Sequence, residues 1–157
     1  MDFQALIDSV GLYAASFIVG FVSGILFFVN IELYLVVVSP LVSRPALAPV
    51  ALYAAAGHMA AKVLFFYTGR GALNMPLGRW KDKIEQVKRK VDDWSDRLDL
   101  LVFLSSFLGV PPFYPICILA GGTRLGVVRF TVVGLVGRVI RFLIVIYFPQ
   151  AVMRFID

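Results

Sequence analysis

SVGLYAASFIVGFVSGILFFVNIELYLVVVSPLV, residues 9–42, is an apolar run broken by one strongly polar pair, Asn30 and Glu32, and that pair falls inside the run rather than at its edge. At about 1.5 Å per residue a single helix through the whole run would extend ~50 Å, against a bilayer hydrocarbon core of ~30 Å. Two half-helices that enter and leave on one face accommodate both the length and the polar pair. The run therefore reads as a re-entrant hairpin with its tip at Asn30 and Glu32.

Working outward, Pro40, Arg44, Pro45 and Pro49 mark a turn, and residues 46–68 then have the length of a full crossing. The small residues Ala54, Ala55, Ala56, Gly57, Ala60 and Ala61 of that segment, like Gly20 and Gly24 in the hairpin, allow close backbone approach. Between Gly69 and Asp99 the composition changes to eight Lys/Arg and six Asp/Glu, yet Trp80, Ile84, Val87, Val91, Trp94, Leu98 and Leu101 keep helical spacing. Residues 77–97 thus read as an amphipathic helix in the membrane interface, or alternatively as a coiled-coil seam between subunits. Residues 98–122 are apolar again, but Gly109, Pro111, Pro112 and Pro115 break them into a second re-entrant hairpin. Residues 127–148 form a second crossing that carries Arg129, Arg138 and Arg141.

The expected fold is one all-α integral membrane domain over residues 1–157. It is an inverted repeat of two re-entrant helical hairpins and two full transmembrane helices, with one interfacial helix between the halves. Hairpins of opposite entry would bring their tips together near the midplane, where transporters place substrate. The basic residues of the surface helix would face the cytoplasm and leave both termini outside.

With 60% apolar residues, the chain lies well above the share usual in soluble domains. Its net charge of +5 sits beside apolar segments rather than along a soluble face, which points to anionic lipid and away from nucleic acid. Cys117 is the only cysteine, so an intrachain disulfide and a thiolate metal cage are excluded. Asp2 and Asp8 precede the first apolar run, unlike the cationic start of a cleaved leader, and the segment is expected to be retained. The small-residue faces suit a homodimer.

Five charged or titratable residues fall where chemistry would be done. Asn30 is placed to cap the outgoing half-helix, with Glu32 in its first turn and free backbone N–H groups at the tip. Pro111 and Pro112 suit the first turn of another helix, so a second positive dipole end should point inward. His58 and Lys62, four apart, share one face of the first span, and Arg138 and Arg141, three apart, share one face of the second. A charge at that depth costs at least ~2.5–3.5 kcal/mol and calls for a partner or a wet cavity. One carboxylate, Glu32, against Lys62, Arg138 and Arg141 leaves an excess of positive charge shaped for an anion such as a phosphate headgroup. The alternative is that Glu32 pairs with one basic residue to lock hairpin to span while the others snorkel. His58 alone suits a hydrogen-bonded packing role, Arg124 and Arg129 an interfacial one, and Phe113 and Tyr114 hairpin packing. No metalloprotease, nucleophile-elbow or phosphate-loop motif occurs, so no catalysis, cofactor or metal is expected.

FVNIELYL (28–35), GHMAAK (57–62) followed by YTGRG (67–71), GVPPFY (109–114), LAGGTR (119–124) and GRVIRF (137–142) together resemble the VTT-domain proteins, the DedA or SNARE-associated superfamily. The likeness is closest to its short YqaA-like bacterial branch. The chain departs from the longer DedA members, whose second hairpin carries RFxPxxR, in having no arginine between Arg97 and Arg124. The resemblance implies two opposed re-entrant hairpins, a multi-pass location in the plasma (inner) membrane of a prokaryote, and movement of phosphate-bearing lipids between leaflets. It also implies that Glu32 is the hairpin acid, that Lys62, Arg138 and Arg141 are basic site positions, and that Gly109, Pro111, Pro112 and Tyr114 form the second tip.

The leading expectation is therefore a lipid translocase, not an enzyme, with headgroup contacts at Asn30, Glu32, His58, Lys62, Arg138 and Arg141. A membrane scaffold with purely structural charges is one alternative. A lipid-phosphate phosphatase using Ser105 or Ser106 is another.

Overall fold

The computed structural model describes residues 3–26, 29–72, 89, 95–110, 112–123 and 125–156. Everything regular among them is helical: α1 Phe3–Ile25, α2 Ile31–Val38 followed by a 3-10 turn Ser39–Leu41, α3 Arg44–Ala72, α4 Ser95–Leu108, α5 Phe113–Gly121 and α6 Val127–Ile156. The helix expected over 77–97 lies outside the described residues apart from Arg89 and residues 95–97, as do Pro111 and Arg124. α4 runs unbroken through Arg97 and Leu98, so the expected boundary there is a change of surface composition and not a break in the backbone. The two spans are also longer than 46–68 and 127–148. Pro45 and Pro49 lie early in α3, where few hydrogen bonds are lost, and Pro149 is carried inside α6.

The chain divides into two compact units, residues 1–61 with 138–157, and residues 62–137. In the first unit the apolar run does break into two helices. Asn30 Oδ1 accepts from the backbone N–H groups of Glu32 (2.9 Å) and Leu33 (3.4 Å), which fixes where α2 begins. Pro40 then forces the end of α2 into a 3-10 turn. The hydroxyls of Ser16 and Tyr34 meet at 2.9 Å, so α2 folds back along α1. Helix α1 crosses α3 with backbones nearly touching: a Cβ at Gly20 would overlap the carbonyl of Ala54, and one at Gly57 the carbonyl of Phe17. Tyr13 and Tyr53 stack beside this crossing, with ring centroids 5.4 Å apart. Ser39 Oγ donates to Ile146 O at 2.7 Å, which ties the 3-10 turn to α6.

The second unit turns its chain differently. Gly109 takes φ 78°, a left-handed conformation that suits glycine, and its N–H bonds to Ser105 O at 3.0 Å, closing α4. Pro112 opens α5, whose Phe113, Ile116, Cys117 and Ala120 are buried at helical spacing. Gly69 of α3 and Gly121 of α5 make a second close crossing against the carbonyls of Ile118 and Phe66. Phe130 of α6 stacks on Phe66 and on Phe113.

Two helices are long and apolar enough to cross a membrane, over Arg44–Gly71 and Val127–Pro149. Core helices of soluble proteins can pass that test too, but the distribution of polarity decides against water as the solvent. Val128, Val132, Val136, Ile140, Ile144 and Phe148 form an exposed apolar stripe along α6, and Leu33, Val36, Val37 and Leu41 are exposed around α2. Lys62, His58 and Arg138 are only 1%, 6% and 6% exposed. A lysine is almost never fully buried in a soluble domain, and such long apolar stripes are not left facing water. The chain is built for hydrocarbon.

Alanine at Gly57 would improve helix propensity by ~1 kcal/mol but force the α1–α3 crossing apart at an overpacking cost of ~1–3 kcal/mol. Gly57→Ala is therefore expected to lower the melting temperature in detergent, whereas Gly11→Ala, which meets no neighbour within 4 Å, is expected to leave it unchanged or raise it. Equal melting temperatures for the two variants would refute the close crossing.

Candidate functional site

Each unit carries its own cluster of charge. In the first, Glu32 stands in the opening turn of α2 because Asn30, two residues earlier, fixes the helix start. Its Oε1 accepts from Arg141 Nε at 2.5 Å, and Arg141 Nη2 approaches the same oxygen at 2.5 Å. The pair is half-buried, with side chains 32% and 23% exposed. It joins α2 to α6, as the locking alternative anticipated for one basic residue.

Arg138 lies one turn before Arg141 on α6 and does not reach the surface. Its guanidinium carbon stands 5.7 Å from the centroid of Phe142, and the edge of His58 meets the same ring at 6.0 Å. Phe142 thus packs against both the buried arginine and the buried histidine. One carboxylate and two guanidiniums share this part of the first unit. The excess is of a sign suited to an anion.

The tip of α2 has less to offer an anion than its sequence suggests. Two of its backbone N–H groups are taken up by the side chain of Asn30, the cap expected of it, and are not open to a ligand. Asn30 is itself exposed, so its place is structural first.

In the second unit, Lys62 is among the most deeply buried side chains of the chain. Its Nζ lies 3.1 Å from the centroid of Tyr114, and Phe65 forms a second wall at 5.4 Å. The two rings meet edge to face at 5.1 Å. A desolvated cation–π contact is worth ~2 kcal/mol, the same order as the ~2.5–3.5 kcal/mol that a charge costs at membrane depth. Tyr114 belongs to the first turn of α5, which Gly109 and Pro112 place. Tyr114 was expected to pack the hairpin, and the structure gives it a charge to hold as well.

Two basic residues outside these clusters, Arg129 and Arg70, have local partners. Arg129, expected to snorkel, is exposed and pairs with Asp99 of α4. Arg70 donates to Leu125 O at 3.0 Å. Ser106 Oγ, weighed as a nucleophile, donates to Phe103 O at 2.8 Å. Sequence reasoning missed Phe65 and Phe142 as partners of the buried cations. Their spacing of three from Lys62 and four from Arg138 is a signal that was available. Among the described residues no group of His, Cys, Asp and Glu could hold a metal ion.

A family model described as the VTT domain matches residues 7–150. No curated protein and no solved structure matches the chain.

The Glu32–Arg141 contact yields a direct test. A double-mutant cycle of Glu32→Gln and Arg141→Gln, read by thermal unfolding in detergent, is expected to show a favourable coupling of ~0.5–3 kcal/mol. Strict additivity would mean that the two side chains do not act together.

Proposed function

The chain belongs to the VTT-domain family, the DedA or SNARE-associated superfamily, and from that premise we propose that it moves lipids with phosphate-bearing headgroups between the leaflets of a prokaryotic plasma membrane. The observation that carries the reading is the inversion of polarity: Lys62 and Arg138 are buried inside a chain whose outer faces are apolar. A headgroup cannot cross hydrocarbon without an alternative to its water shell. Cationic side chains held within the protein supply one, while the acyl tails remain in the bilayer.

On this reading α1 with α2, and α4 with α5, are re-entrant hairpins, each breaking its helix at membrane depth where protein rather than lipid surrounds the free backbone. Glu32, Asn30, His58, Arg138 and Arg141 serve the headgroup in the first unit, and Lys62 in the second. The chain is a transporter and not an enzyme, closest in kind to the short YqaA-like members. One observation favours a second reading, a membrane scaffold: Glu32 is already engaged by Arg141, as a purely structural charge would be.

The test is fluorescent-lipid transfer in proteoliposomes, comparing an anionic phospholipid with a zwitterionic one. Lys62→Gln and Arg138→Gln are each expected to lower transfer of the anionic lipid by at least ~10-fold while the protein still folds. Undiminished transfer in both variants would remove the charges from the path. Absence of transfer by the wild type would favour the scaffold.

A further inference from the structure

We infer that the groove between α1 and α3 is a seat for one glycerolipid, holding the upper part of an acyl chain while the phenols of Tyr13 and Tyr53 donate to its ester carbonyls. The inference does not depend on transport, only on the outer faces of the chain meeting hydrocarbon. The groove has a volume of about 430 Å³ and is lined by Tyr13, Ala14, Phe17 and Ile18 of α1 and Tyr53 of α3. Tyr13 and Phe17, like Ala14 and Ile18, are four apart, so the α1 wall is one helical face. The groove adjoins the close crossing, where a Cβ at Gly57 would overlap the carbonyl of Phe17. It is continuous with the apolar exterior, since Phe17, Ile18, Tyr53 and the neighbouring Leu52 are all exposed.

Two phenols side by side say what fills it. The Tyr13 and Tyr53 rings are nearly parallel, 11° between planes with centroids 5.4 Å apart. Among the described residues neither hydroxyl has a hydrogen-bond partner, whereas that of Tyr34 meets Ser16. A phenol left facing hydrocarbon forfeits its hydrogen bond, so the acceptor must come from outside the chain. Its depth narrows the choice. Tyr13 with Tyr53, Gly20 with Ala54 and Gly24 with Ala61 rise together along the two helices, so α1 and α3 run in the same direction. Helical side chains lean toward the N-terminus, and both phenols therefore lean toward the surface at which α3 begins. Tyr53 follows Arg44 by nine residues, which at ~1.5 Å per residue places its backbone about 14 Å along α3. The polar layer takes up roughly the first 5–7 Å of a span, so the ring starts beneath it and its hydroxyl reaches back toward the ester linkages. Water and phosphate lie further out, and acyl chains carry no acceptor. Phe17 and Ile18, a turn deeper on α1, then meet the methylenes below the ester. A second copy of the chain is a poorer occupant, because five lining residues fall short of the roughly 20–30 a side that a stable interface engages.

The full chain, purified in detergent, is incubated with dipalmitoyl phosphatidylglycerol or with its dialkyl ether, which keeps headgroup and chains but lacks both ester carbonyls. Lipid retained per chain is read by native mass spectrometry. The wild type is expected to hold one diester lipid about tenfold more tightly than the diether, the effect of two neutral hydrogen bonds. Tyr13→Phe/Tyr53→Phe keeps both rings and is expected to hold the two lipids equally. Ala14→Phe, at an exposed position, fills the groove and is expected to weaken both by at least about tenfold at an unchanged melting temperature. A diazirine in the upper acyl chain is expected to crosslink the wild type within residues 13–18 or at Tyr53, and to lose those crosslinks in Ala14→Phe. The two variants are independent, so misfolding of one leaves the other decisive.

Equal retention of diester and diether by the wild type would overturn the inference, as would a preference that survives in the double phenylalanine variant. Crosslinks that lie elsewhere, or that persist in Ala14→Phe, would overturn it as well. A dimer that Ala14→Phe dissociates while lipid retention is untouched would assign this face to a second copy instead.

Discussion

Hydrocarbon offers no partner to a charge, and most of what is distinctive in this chain follows from that constraint. A lysine and an arginine on crossing helices must find within the protein what water would have given them. Lys62 finds aromatic faces, and Arg138 lies beside Phe142. Glu32 and Arg141 meet each other where the protein is half open. The apolar side chains are released to the outside, and so the familiar order of a soluble core is turned over.

Turning the polar groups inward requires helices to come close, and leucine-lined surfaces would keep them apart. Gly20, Gly24 and Gly57 bring α1 against α3, and Gly69 and Gly121 bring α3 against α5; a carbonyl sits where a methyl group would otherwise be at four of them, and the Ala61 methyl at Gly24. The two chain reversals use different chemistry for the same end. Asn30 starts α2 by taking up two backbone donors itself. Gly109 stops α4 with a left-handed residue, and Pro112 starts α5 without a side-chain cap. An anion approaching α2 therefore meets a helix end that is already partly satisfied. The two tips are chemically unequal even though both interrupt apolar runs.

Much of this is legible in the sequence. The polar pair at Asn30 and Glu32 marked the first break, Gly109 with its prolines the second, and the small-residue faces of α1 and α3 announced their crossing. Helix ends were less legible, because Pro45 and Pro49 look like a turn and yet are tolerated early in α3. The segment boundary drawn between residues 97 and 98 falls inside α4, since a change from charged to apolar side chains alters the surface of a helix without interrupting its hydrogen bonds. Which base Glu32 would choose was not readable, since three basic residues carry the same charge and only geometry separates them. The meeting of Lys62 with Tyr114 was beyond any periodicity, because it joins helices distant in the chain.

The exposed stripe of α6 has a thermodynamic consequence. Val128, Val132, Val136, Ile140 and Ile144 are all branched at Cβ, and in a helix such side chains keep essentially one rotamer. This surface is ordered before any lipid touches it, so contact with the bilayer removes almost no freedom from the protein. The entropy of solvation along α6 is carried by the acyl chains alone, and it rises or falls with how ordered those chains already are.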